Sequence, residues 1–305
     1  MMKKRLIPMS FDLVFKKMFG DNEHKERTAL LVSTLLNIPY NDLVNNIELL
    51  PTEKRVRNKK DKRQSQDVIV KIILSINEKI SLEMNMNYDE SLKNRNIHYL
   101  SGMFYNQLKN KEDYSMLEPC IQINFNRVYT DNTNKIIFDK YTLRNEYGNE
   151  LTEKIRIYNL NIDACHKIIY NNSINNYDKD LHEIIKYGAM LMETDYANLK
   201  KMLEEFKMKK ELKEDILDVM EEYSEDEDLG LWYDEEEEKR KIYEGSLKIA
   251  KKQAQKEGME KGIKEGIKEE KIKVVKQMLN KKFDIDTISE VVQLPIDEIK
   301  ELANN

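Results

Sequence analysis

Two unlike strand patterns stand back to back between Asp67 and Met86, and together they demand a sheet with at least one strand covered on both faces. Asp67-Val68-Ile69-Val70-Lys71-Ile72-Ile73-Leu74 is apolar and β-branched almost throughout, which suits a strand buried on both sides. Asn77-Glu78-Lys79 supplies turn chemistry. Ile80 to Met86 then alternates strictly, with Ile80, Leu82, Met84 and Met86 on one face and Ser81, Glu83 and Asn85 on the other. A tight turn centred on Asn77-Glu78 would set Asp67 opposite Tyr88. Placing Asp67 opposite Glu83 therefore requires a wider turn, a bulge or strong local twist, and one of these is predicted.

Around this pair the periods alternate. Residues 11–37 read as helix, broken at Gly20 and restarted by Asp21 or Asn22, with Phe11, Val14, Phe15, Met18 and Phe19 at helical spacing. Ile47-Glu48-Leu49-Leu50-Pro51 is a short strand. Helical spacing returns from Ser91 to about Lys109, and strands are predicted at 120–126, 135–143 and 154–162. From Asp180 onward the chain reads as helix. This order predicts an α/β fold, a mixed sheet flanked by helices, with a helical C-terminal extension.

At 305 residues, 40% of them apolar, the chain has enough material for one large domain and an appendage. A strongly acidic stretch follows at 221–238. The expected organisation is a domain over 1–225, an acidic linker over 226–245 and a helical segment over 246–305. In that last part Gly258-Met259, Gly262-Ile263 and Gly266-Ile267 recur every fourth residue. A four-residue step drifts only ~40° around a helix, so these positions share one flank. The pattern points to a coiled-coil-like pairing segment and a homo-oligomer formed through 246–280. Ile285–Leu302 reads as two short helices about Leu294-Pro295, in the spacing of a helix-turn-helix or a plain helical hairpin.

Charge gives no global direction: 35% of residues are charged, yet they nearly cancel to −5. No run approaches the ~20 apolar residues of a membrane helix, so no membrane partner is expected. Two cysteines, Cys120 and Cys165, form neither a disulfide framework nor a cysteine-rich metal site, and a reducing cytoplasm is the expected compartment. His24, His166 and His182 show no ligand spacing, His98 reads as a general base or a structural residue of its helix, and no phosphate-binding glycine fingerprint is present.

The chemistry concentrates on the central hairpin. Carboxylates on adjacent strands, Asp67 and Glu83, can share a divalent cation, and Asn85 lies on the same face ~7 Å further along. Taken alone, a carboxylate opening a strand and a glutamate on a polar strand face are equally the marks of solvated surface. The wider sequence adds to this. Phe11-Asp12-Leu13-Val14-Phe15-Lys16-Lys17-Met18-Phe19-Gly20-Asp21, Leu35-Leu36-Asn37, Asp67, Leu82-Glu83-Met84-Asn85 and Arg95-Asn96-Ile97-His98-Tyr99 together resemble the Rpn recombination-promoting nucleases, a transposase-like PD-(D/E)xK family. Tyr105-Asn106-Gln107-Leu108, Tyr114 and the strand Cys120–Phe125 continue the resemblance over nearly the whole chain.

The resemblance implies a PD-(D/E)xK restriction-endonuclease-like core that cleaves DNA with Mg²⁺ or Mn²⁺. Asp67 and Glu83 would then be metal ligands, Asn85 would stand in the catalytic element where the family carries Gln or Lys, and Glu23, ahead of Glu26, would supply a further acidic ligand from the first helices. DNA contacts are expected from the basic loop Lys54, Arg55, Arg57, Lys59, Lys60, Lys62 and Arg63, and from Arg95, which meets either phosphate or a carboxylate. The alternative expectation, raised by Asn85, is a catalytically weakened or inactive DNA-binding protein on the same fold. A third is an interaction protein acting through its tail.

Overall fold

The computed structural model describes residues 5–52, 66–74, 77–86, 91–109, 111–127 and 136–304. Near the N-terminus α1 (Asp12–Phe19), α2 (Lys25–Leu36) and α3 (Tyr40–Val44) lead into β1 (Ile47–Leu50), β2 (Val68–Ile72) and β3 (Glu78–Asn85). α4 (Leu92–Tyr105) then crosses over to β4 (Cys120–Asn126), followed by β5 (Phe138–Arg144) and β6 (Glu150–Asn161). The sheet has the order β1-β2-β3-β4-β6-β5. Pairs β1/β2, β2/β3 and β5/β6 are antiparallel, whereas β3/β4 and β4/β6 are parallel. The parallel step from β3 to β4 follows from the helix between them, because parallel neighbours need a long crossover.

The turn between β2 and β3 is not centred on Asn77-Glu78, because Glu78 and Lys79 already pair within β3, and this earlier turn is what shifts the register. Ile72 pairs with Glu78 and Val68 with Leu82, so residues 73–77 lie between the paired strands. One more step along this ladder sets Asp67 against Glu83.

Both faces of the central sheet are covered. One face joins Val68, Val70, Ile80, Leu82, Met84, Ile121, Ile123 and Phe125 to the main core with Val14, Phe15, Met18 and Leu31 of the first helices. On the other face a smaller cluster, Ile69, Leu100, Met103 and Cys120, packs under α4. Ser81, Glu83 and Asn85, which alternation alone would leave half-exposed, are therefore buried.

A helix absent from the sequence reading, α5 (Ile162–Tyr170), follows β6 directly. Asn161 begins it, its side chain accepting the Ala164 amide at 3.0 Å, and Ile162, Cys165 and Ile168 form the buried stripe. That cap and spacing were present in the sequence beneath the strand signal that precedes them. α6 (His182–Met190), α7 (Tyr196–Glu205) and α8 (Lys210–Glu225) complete the helical layer. Arg27 of α2, 1% exposed, forks onto Asp215 of α8 at 2.6 and 2.7 Å and locks the two helices together.

The chain divides into units 1–246 and 247–305. Residues 226–245 are largely helical. α9 (Glu227–Trp232) and the start of α10 (Glu235–Asn280) occupy them. Leu229 is buried in the main core, and Tyr233 packs edge-on against Phe11 at 5.2 Å between ring centres. In the second unit α11 (Ile285–Val292) and α12 (Ile296–Asn304) enclose Val275, Ile288, Val292 and Ile299. Gln293 takes the left-handed conformation between them, and the Ser289 hydroxyl donates to the Leu294 carbonyl at 2.7 Å. Met259, Ile263 and Ile267 of α10 are exposed. No helix among the described residues is long and apolar enough to cross a membrane.

Candidate active site

Asp67 is delivered by the start of β2 and fixed by the backbone of β3. Its Oδ2 accepts the Met84 amide at 2.7 Å, leaving Oδ1 to meet Lys16 Nζ at 3.1 Å. Glu83, 4% exposed, sits beside it on the face under α4. A short relay orients Glu83: Gln66 Nε2 donates to the Ser81 hydroxyl at 2.7 Å, and that hydroxyl donates to Glu83 Oε1 at 3.0 Å.

Asn85 is held from both ends. Its Nδ2 donates to Asn126 Oδ1 at 2.9 Å, and its Oδ1 accepts from Arg95 Nη2 at 2.8 Å. Arg95 thus projects from the first turn of α4 into the site. Behind Glu83 and Asn85 runs a band of amides fixed by register: Glu83 pairs with Asn124 and Asn85 with Asn126, while Asn124 pairs with Asn159 and Asn126 with Asn161. Gln122 donates to Asn124 at 2.9 Å and Asn124 to Asn159 at 2.8 Å. Gln66 Oε1, Arg95 Nε, Asn96 Oδ1 and Gln122 Oε1 are buried and have no hydrogen-bond partner among the described residues. They retain capacity for a ligand or solvent.

The electrostatics are those of carboxylates confined together. Burial pushes the Glu83 carboxyl up to about 8, the Asp67 charge adds to the rise, and the Ser81 hydroxyl and Arg95 oppose it. Asp67 is also raised, by burial and then by Asp12, against Lys16 and the Met84 amide. Burial works to lower the Lys16 ammonium, yet its bonds and charge contacts with Asp12 and Asp67 prevail and raise it. Burial and the neighbouring Glu83 charge raise Tyr99, which follows Arg95 by one helical turn. A buried and a partly buried carboxylate that resist ionising together form a donor set suited to a hard divalent cation, whose charge would offset theirs.

The structure thus brings Asp67, Glu83, Asn85 and Arg95 to one place. Glu23 does not join them. It is exposed in the turn before α2, where its amide donates to Asp21 Oδ1 at 2.8 Å. The acidic side chain that the first helices bring towards Asp67 is Asp12, bridged to it by Lys16. Asp12 lies within the N-terminal signature, but at the first position of a helix it carries the same sequence mark as any dipole-favoured acid. Among the described residues no three His, Cys, Asp or Glu side chains converge as a metal-binding group. Lys54, Arg55, Arg57, Lys59, Lys60, Lys62 and Arg63 lie outside the described residues. Gln66 and the amide band escaped the sequence reading because only strand register assembles them.

Comparison with curated proteins and with solved structures gave no match. A family model described as the PD-(D/E)XK nuclease family transposase matches residues 9–249. The mixed six-stranded sheet with flanking helices falls within that span, and the chain belongs to the PD-(D/E)XK nuclease family of transposases.

Proposed function

We propose that the protein is a divalent-metal-dependent DNA endonuclease that hydrolyses phosphodiester bonds at the Asp67–Glu83 pair. The observation that carries this reading is the juxtaposition of the buried Glu83 and the partly buried Asp67 at the end of the β2–β3 ladder, each raised above its ordinary pKa. Asp67 and Glu83 would hold Mg²⁺ or Mn²⁺, which when bound neutralises phosphate charge and acidifies a water. The chain's own groups do the rest. The Met84 amide and the Gln66–Ser81 relay fix the carboxylate oxygens, and Asn85 aims Arg95. Arg95 supplies the positive charge that a lysine at position 85 would otherwise bring. The basic residues 54–63 precede Asp67 closely in sequence and are assigned to non-specific contacts with the phosphate backbone. Two buried thiols, Cys120 and Cys165, suit a reducing cytoplasm.

The test is cleavage of supercoiled plasmid by the purified protein with Mg²⁺, Mn²⁺ or Ca²⁺, beside Asp67→Ala. Nicking that requires metal and disappears in a folded Asp67→Ala protein is expected. Equal nicking by the variant would sink the assignment.

Asn85 favours one second reading, a DNA-binding protein on this core with little catalysis. Its mark is binding without cleavage, steeply weakened by salt and by removal of the charges at 54–63. We further assign the exposed stripe Met259, Ile263 and Ile267 of α10 to pairing with a second copy of the chain.

A further inference from the structure

We propose that Lys16 is the resident counter-ion of this site, and that a divalent cation binds Asp67 in competition with it. Lys16 thereby sets the cation affinity of the protein. The inference rests on the reading of Asp67 as a metal ligand and deepens it.

The geometry is specific to one oxygen. Asp67 Oδ2 is occupied by the Met84 amide at 2.7 Å. Oδ1 is the atom left for an ion, and Oδ1 is the atom Lys16 Nζ holds at 3.1 Å. An ammonium and a divalent cation on the same carboxylate oxygen repel at contact distance, so each weakens the binding of the other. The lysine is not placed there by chance orientation. Val14, Phe15, Met18 and Phe19 bury the inner face of α1 and fix its rotation, which turns Asp12 and Lys16 towards Asp67.

The exit is also built in. Lys16 Nζ simultaneously meets Asp12 Oδ2 at 2.8 Å, one turn back on the same helix. The Asp12 and Lys16 side chains are 42% and 38% exposed, whereas that of Asp67 is 11% exposed. The ammonium therefore enters from the solvent side and keeps one partner when it leaves the other. Lys17 provides an internal control: it carries the same charge on the same helix but pairs with Asp226 at 3.4 Å.

The experiment titrates the full chain with Mn²⁺ alone, without DNA, following the free-ion signal by electron paramagnetic resonance. Lys16→Met and Lys16→Gln are expected to bind roughly tenfold more tightly than the parent. Lys17→Met is expected to match the parent, and Asp67→Asn to abolish binding in every background. If Lys16→Met gains no more than Lys17→Met while Asp67→Asn still abolishes binding, the inference fails and the metal reading stands. If neither the parent nor the Lys16 variants bind Mn²⁺, both fail.

Discussion

Arg95 Nη2 donates to Asn85 Oδ1 at 2.8 Å, so the polar residue two positions beyond Glu83 accepts a hydrogen bond from a cation. A carboxamide oxygen suits that role, whereas an ammonium there would face a like charge. Asn85→Lys is therefore expected to destabilise the protein by about 3 kcal/mol, since it adds an unpaired buried cation and removes the bond to Asn126. Urea unfolding reads the loss. In the plasmid assay the same variant is expected to remain no better than the parent, and Arg95→Ala to fall by about a hundredfold. A rise in cleavage with Asn85→Lys would contradict the assignment of the charge to Arg95.

Glu83 makes stability depend on pH. Its folded carboxyl titrates near 8 and its ordinary value is 4.5, so the folded state retains a proton that the unfolded chain has lost. The corresponding stability is complete below about pH 4.5, declines as pH rises and is gone above about 8. Asp67 adds to the rise in Glu83, while Arg95 and Ser81 oppose it. Glu83→Gln is expected to be more stable than the parent at pH 9, by on the order of 4 kcal/mol, with the gap closing towards pH 5. Unfolding curves in chelator at both pH values check this. A constant gap would assign the difference to packing.

The fork between Arg27 and Asp215 is a stability element remote from the chemistry. Asp215→Ala leaves the Arg27 guanidinium, 1% exposed, without its partner. A loss of about 3 kcal/mol is expected, and removing both charges with Arg27→Met and Asp215→Ala should recover part of it. Denaturation midpoints of the two single variants and the double variant measure the coupling.

Gly188 lets α6 approach α5. A Cβ at this position would stand 2.7 Å from Cys165 Sγ and 3.3 Å from Leu160 Cδ2. Gly188→Ala is expected to cost about 1–3 kcal/mol by overpacking, and Cys165→Ala in the same chain to relieve much of that. If the two changes simply add, the contact is not the cause.

The tail carries its own prediction. The full chain is expected to be dimeric or larger by light scattering, and a chain ending at Ser246 monomeric. Met259→Glu with Ile263→Glu should reproduce the truncation, because both residues are exposed on α10 and leave the hydrophobic clusters intact. An unchanged mass would remove the pairing role.

The sheet was legible where pattern and burial coincide. The β-branched run of β2 and the alternation of β3 each specify a strand, but the register that brings Asp67 beside Glu83 depends on where the chain turns between them, which the turn residues Asn77-Glu78 did not indicate. What alternation does not reveal is whether the polar face is wet. Ser81, Glu83 and Asn85 look solvated in sequence, yet α4 covers them. The amides of β4 and β6 were illegible for a related reason. Asn124 and Asn159 are distant in sequence, and they meet only because β4 and β6 run parallel in one register. Asp12 was not legible as the acid near Asp67, because an acidic residue in a first helical turn is common and only the rotation of α1 about its buried aromatic face turns this one towards the site.

The turn between Ile72 and Glu78 has a consequence for how such a site can change. Its length works as a ruler. Adding or removing one residue would slide the β2–β3 register by one and send either Asp67 or Glu83 to the opposite face. A change of two would keep the faces but separate the carboxylates by ~7 Å along the strand. The distance between the two acids is thus inherited through the length of a segment that contains neither of them.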